Sequence, residues 1–180
     1  MNQLFDDFVI EQKASKEVIE KYQDRIPEEM LLFWKEYGFG TFLNGFIKSV
    51  NPDDFQELLI EGSQRFHDGI VLFATALGDL IIWEGNFVRI IRFRYGVTDT
   101  IMSGFKFFFE DLSDEDFREE DLRWAPYLEA IEINGVPKFE ECFGYVPLLG
   151  LGGAEQVENL KIVKLREHII LITELMGSII

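Results

Sequence analysis

The sequence reads as an α+β protein, with helices packed on a mainly antiparallel central sheet and a long C-terminal helix closing the core. Three observations predict this. Helix start signals recur in the first third, where Pro27 and Asn51-Pro52 each precede a pair of acids. The middle holds successive apolar runs separated by turns too short for helical crossovers. The last stretch spaces Ile162, Leu165, Ile169, Ile172 and Met176 as one helical stripe.

Taken in order, Lys16 to Asp24 carries Val18, Ile19 and Tyr22 at helical spacing. Pro27 then sits at a first helical position, and Glu28 and Glu29 suit the positive end of the helix dipole. That helix runs through Phe33 and Trp34 and stops at Gly38. Asn51 caps a third helix, expected from Phe55 to about Ile60 with its end at Gly62. Four strands follow: Ile70–Thr75, Leu80–Glu84, Phe87–Tyr95 and Val97–Met102, with turns at Leu77-Gly78-Asp79 and Gly85-Asn86. Helix returns after Gly104. Phe105 to Phe109 anchors one segment, and Ser113 caps the next, which opens on Asp114, Glu115 and Asp116. The final helix is expected from about Glu155 to Met176, with Lys161, Lys164 and His168 on its outer side. The chain divides into residues 1–112 and 113–180, packed as one compact unit.

Composition narrows the function. The 180 residues suffice for a real core, 47% of them are hydrophobic, and 18 Phe imply an aromatic interior. The formal net charge of −16 repels phosphate backbones and anionic membrane surfaces, so neither nucleic acid nor membrane is an expected partner. The same field speeds encounter with a basic partner. Solubility alone would also account for the acidity. A single cysteine, Cys142, forms no internal disulfide and suits a reducing compartment. The start, Met1 to Asp7, lacks the basic-then-apolar pattern of a signal peptide, and no apolar run reaches membrane-spanning length. A cytoplasmic location is expected.

Chemistry-bearing constellations are weak. His67, His168 and Cys142 have no metal-ligand spacing, and Asn51-Pro52-Asp53-Asp54 is a helix cap rather than a calcium loop. Cys142 follows Glu140 and Glu141, which raise a thiol pKa, so it reads as structural rather than nucleophilic. Gly150-Leu151-Gly152-Gly153 lacks the Lys-Ser/Thr of a phosphate loop, and its glycines permit close packing and an unusual turn. No catalytic residue, metal or cofactor is expected. The densest acidic group is Asp114, Glu115, Asp116, Glu119, Glu120 and Asp121, which helical spacing arranges as an exposed ridge. It reads either as a solvated helix face or as a docking surface for a basic partner, one that mimics the charge of nucleic acid.

Two stretches carry a family resemblance. Ile26 to Gly40, Phe46 to Phe55 and Ala76 to Trp83 resemble the GAD-like (GAD-related) domain of bacteria. Phe143 to Pro147, Leu151 to Gly153 and Asn159 to His168 resemble the C-terminal domain of type VI secretion immunity proteins. The N-terminal motif is similar to that of SUKH-superfamily immunity proteins too, and the ordered combination is the more specific signal. The resemblance implies a cytoplasmic, non-enzymatic antidote that binds and neutralises a cognate toxin, in the best-known branch a DNase. It names no catalytic residues and no interface. Two rivals stand beside it: a general interaction or regulatory module, and a hydrolase built on a convergent carboxylate pair.

Overall fold

A computed structural model describes residues 3–180. Met1 and Asn2, which open the stretch read above for its lack of a signal-peptide pattern, lie outside the described residues. Seven strands form one sheet in plain sequence order: β1 (Val9–Gln12), β2 (Phe39–Phe42), β3 (Ile47–Ser49), β4 (Ile70–Thr75), β5 (Leu80–Glu84), β6 (Phe87–Arg92) and β7 (Val97–Ser103). Every neighbouring pair is antiparallel. A separate hairpin pairs β8 (Glu141–Tyr145) with β9 (Leu160–Lys164).

Strand alternation sends apolar side chains to both faces of the sheet. Leu72, Ile81 and Ile90 join one core cluster, while Val71, Ile82 and Ile91 join a second. A bulge between Val71 and Phe73 shifts the phase within β4, and Leu72 and Phe73 both enter the first cluster. The first face is covered by α1 (Lys16–Tyr22), α2 (Glu28–Glu36), α4 (Phe108–Leu112) and α6 (Ala125–Asn134), through Tyr22, Trp34, Phe108 and Tyr127. The second is covered by α3 (Gln56–Gly62) and α7 (Leu165–Met176), through Leu58, Leu59, Leu165, Ile169 and Ile172. The sheet is therefore a middle layer between two helical ones, and the C-terminal helix closes the second core. A short α5 (Glu115–Glu120) buries no residue.

The aromatic interior expected from the Phe content is concentrated at one end of the first core. Phe5 packs against Phe33, Tyr37, Phe42 and Phe109 with ring centroids 4.9 to 5.2 Å apart. Edge-on and tilted contacts of this kind suit the ring quadrupole. Tyr127 of α6 packs against Phe46 in a tilted ring contact, and its hydroxyl donates to the Asn44 carbonyl at 2.5 Å.

Several expectations need correction. The first third is not all helix, because β1, β2 and β3 extend the sheet at the side where the sequence showed only helix signals. The last helix begins at Leu165 rather than Glu155. Residues from Leu160 to Lys164 instead pair with β8, Cys142 opposite Val163 and Phe143 opposite Ile162, so Ile162 leaves the helical stripe. His168 lies on the buried side of α7, not the outer one. The third strand ends at Arg92, where the chain turns. Ser113 ends α4, and Asp114 caps α5 by accepting from the Asp116 amide at 2.9 Å. Pro27 occupies the cap position and precedes the first helical residue.

Gly40 in β2 illustrates how tightly the outer strands pair. A Cβ built there would lie 2.2 Å from the Val9 carbonyl oxygen, which is backbone and cannot swing aside. Gly40→Ala should therefore push β1 off the sheet and cost about 1–3 kcal/mol, by analogy with overpacking. Urea unfolding reads this as a lowered midpoint, and an unchanged midpoint would show that β1 adds nothing to the folded state.

Candidate functional site

The acidic ridge lies on and around α5. Asp114, Glu115, Asp116, Glu119 and Glu120 are exposed, whereas Asp121 is half-buried at the C-terminal cap. Burial pushes the Asp121 carboxyl above its ordinary range, against the pull of Arg92. Five of the six residues thus share one solvated surface, and Asp121 turns toward the sheet. Phe107, one element earlier, leaves its ring largely exposed.

Beneath this region lies a buried charge cluster that the sequence did not announce. Asp79, in the turn between β4 and β5, is fully buried. Its Oδ2 accepts from Arg94 Nη2 at 3.2 Å, and Thr75 Oγ1 lies 3.4 Å away. Thr75 Oγ1 also accepts from the Leu77 and Asp79 amides, both at 3.2 Å, which fixes the turn. Desolvation raises the Asp79 pKa, while Arg94, Arg92 and Arg123 pull it down. Arg92 bonds Asp99 and the Asp121 carbonyl, and Arg94 Nη2 reaches the Arg123 carbonyl at 3.5 Å. The signal that could have exposed this cluster is the pair of arginines, Arg92 and Arg94, in an otherwise apolar strand end.

A cleft of about 570 Å³ opens beside the same cluster, between the turn after β6, the end of β8 and the C-terminal part of α7. Arg94, Tyr145 and His168 line it together with apolar Phe93, Ile172 and Met176. His168 presses against the β8 backbone, where a Cβ on Gly144 would sit 2.4 Å from its Nε2. Burial lowers its imidazole pKa. Gly150 belongs to the same wall, with its Cα side against the Met176 side chain, and Gly152 adopts φ +88°. These two glycines do serve close packing and an unusual turn, although the turn leads through a one-turn 3-10 helix (Val157–Asn159) into β9 and not into the final helix. Among the described residues no group of three or more His, Cys, Asp or Glu converges as a metal site. No described helix is long and apolar enough to cross a membrane.

The model of the GAD-like domain matches residues 2–95. This chain belongs to the GAD-like family. Residues 102–176 match the model described as T6SS immunity protein Tdi1, C-terminal. No curated protein is significantly similar to the chain. Among solved structures it is similar to Atu4351 from Agrobacterium tumefaciens, with a TM-score of 0.75 and 16% identity, covering 94% of this chain and 86% of that one. At that identity the likeness speaks for the fold.

Lys48 ties the GAD-like segment to the immunity segment. It is buried, and its Nζ donates to the Lys138 carbonyl at 2.8 Å. Burial lowers its pKa to about 8, with partial relief from Cys142, Glu140 and Glu141. Cys142 is buried too, and desolvation raises its thiol to about 12, far from a reactive thiolate. The two groups act oppositely on stability. For Lys48, the unfolded chain holds its proton up to the ordinary value of 10.5 while the folded chain releases it from about 8. Stability gained from that difference rises with pH inside this window. For Cys142, the folded chain keeps the proton longer, so stability falls above the ordinary value of 9.0. Lys48→Met should isolate the first effect. The wild type should gain on the variant by roughly 1.4 kcal/mol per pH unit between those limits, read as the difference in urea midpoints at pH 8 and pH 10. Parallel profiles would mean that Lys48 stays charged in the fold.

Proposed function

We propose that this GAD-like chain is a type VI secretion immunity protein, a non-enzymatic antidote that binds a cognate toxin in the cytoplasm. The observation that carries the reading is the match of residues 102–176 to the C-terminal immunity model. It gains support from a thiol held neutral by burial and from a net charge of −16. Residues 1–112 and 113–180 serve as its GAD-like and immunity parts. One core joins Phe33 and Phe73 of the first to Leu122 and Tyr127 of the second.

The toxin in this proposal is a nuclease with a basic surface. Asp114, Glu115, Asp116, Glu119 and Glu120 face the groups that otherwise hold phosphates, and Phe107 supplies an aromatic anchor beside them. Asp121 contributes from the C-terminal end of the ridge through its charge. Such an arrangement steers association more than it sets the strength of the final contact.

Co-expression with the product of the adjacent gene tests the role: rescue from toxicity together with co-purification is expected, and toxicity without either outcome would overturn it. With that complex in hand, lysines at the five exposed ridge positions should slow association by about tenfold or more at low salt and flatten its salt dependence. Unchanged association rates would move the interface away from α5.

A further inference from the structure

The cleft between the turn after β6, the end of β8 and α7 is given no role by either matched family description. Its volume of about 570 Å³ falls in the range of small-molecule pockets. Phe93, Ile172, Met176 and Ile179 make much of its wall apolar, and half-buried Leu148 and Leu149 extend that surface.

Charge on this wall is already answered. The Arg94 guanidinium turns to Asp79 and the Arg123 carbonyl, and its unpaired nitrogens are sealed from solvent. It offers nothing to a ligand head. No acidic side chain lines the cleft either. A charged head would lose its water there and meet no counter-charge, which is costly for either sign.

His168 is the decisive group. It stands on the buried side of α7 and is 7% exposed, with its Nε2 edge against Gly144 of β8. The imidazole has no hydrogen-bond partner among the described residues. Unlike the Arg94 nitrogens, its own keep access to solvent, through the cleft that the ring lines. Burial lowers its pKa, so at neutral pH the ring is uncharged and carries one donor and one acceptor. A wholly apolar occupant would strip water from this ring and return nothing. A hydroxyl both donates and accepts, and so satisfies either tautomer.

We propose that this cleft binds a small uncharged alcohol or phenol with an apolar body, its hydroxyl on the His168 imidazole. The body lies along Phe93, Ile172 and Met176, with Tyr145 on the β8 side.

The test uses the purified chain alone, so its failure is separate from any failure of toxin neutralisation. 4-Propylphenol, propylbenzene and 4-propylbenzoate share one body and differ only in the head. Each is titrated calorimetrically at about pH 7.5 and about 0.15 M ionic strength, where surface charge is screened beyond about 8 Å. The phenol should saturate at one per chain, about tenfold more tightly than the other two, the effect of one added buried hydrogen bond. His168→Phe removes both ring nitrogens, and should bring the phenol down to the affinity of propylbenzene. A second readout needs no variant. The chain has two histidines, and the His168 imidazole resonances should move on saturation with the phenol while those of His67 stay fixed. Absence of saturation by the phenol at millimolar concentration would overturn the proposal. So would equal affinity for propylbenzene or for the benzoate, or His168 resonances that do not respond. Binding only of an acetylated, amidated hexapeptide with a central tyrosine would replace it with capture of a partner's side chain.

Discussion

The rest of this structure depends on a sheet whose central strand must be buried on both faces. Ile70 to Thr75 are inaccessible along their whole length, and no polar face is left to meet water. Antiparallel sheets commonly leave one face solvated; here β3 and β4 are covered on both faces, and only the outer strands β1 and β7 stay largely exposed. Two helical layers are therefore obligatory, and neither matched segment supplies them alone. Helices α4 and α6 complete the layer begun by α1 and α2, α7 completes the layer begun by α3, and the β8–β9 hairpin serves both, with Phe143, Tyr145 and Leu160 in the first core and Cys142 in the second. Phe143 fastens the hairpin to the sheet, its amide donating to the Ala76 carbonyl at 2.7 Å. The chain end is fastened likewise, with the Ile179 amide donating to Gly62 at 2.8 Å. Burial on both faces thus makes the two segments mutually dependent.

The buried charges follow from the same constraint. Turns at the end of a fully covered sheet must pair their polar groups inside the protein. Asp79 and Thr75 do this locally, and the arginines pass the linkage outward to the Asp121 and Arg123 carbonyls. Through those bonds the segment that follows α5 is held against the sheet, although α5 itself buries nothing. An acidic helix with no buried residue would otherwise fray from the surface. Breaking such a cluster from one side leaves uncompensated buried charge, a cost far above that of any exposed pair such as Lys16–Glu20.

Legibility in the sequence followed the strength of the periodic signals. Strands β4 to β7 were readable because apolar runs and short turns agree with each other. Helix α1 was readable from the spacing of Val18, Ile19 and Tyr22, and α2 from Pro27 and the acids after it, whereas the Asn51 side chain, which accepts from the Asp53 amide at 3.1 Å, caps a one-turn 3-10 helix (Pro52–Asp54) that precedes α3. Strands β2 and β3 were missed because a helix signal ended only at Gly38. The neglected cue was Asn44-Gly45, a hairpin dipeptide between Phe42 and Phe46, where Leu43, Asn44 and Gly45 all take positive φ. Strand β9 was missed because Ile162 and Leu165 satisfy a helical spacing by coincidence, and its partner β8 lies far upstream. The exposed acids of α5 were visible as a ridge, whereas Asp121 differed because its backbone is recruited by Arg92. That Arg94 and His168 line one cleft could not be read from spacing alone, because it depends on how α7 packs on the sheet.

The placement of charge sharpens the argument for a protein-binding role. Among the described residues the buried charged side chains are Lys48, Arg92 and Arg94 against a single acid, Asp79. The core consumes cations, so the solvent-facing surface is more negative than the composition alone states. Those cations also stiffen the scaffold on which the exposed acids sit, through Lys138 for Lys48 and through Asp121 for Arg92. A surface that must meet a basic partner benefits twice from this division. Its exposed side chains are more uniformly acidic because fewer cations sit among them. Its backbone is also held before contact, so less ordering is required on association. Acidity spread at random over a loose chain would give the first advantage without the second. Burying the arginines against the segment that follows the acidic helix contributes to both.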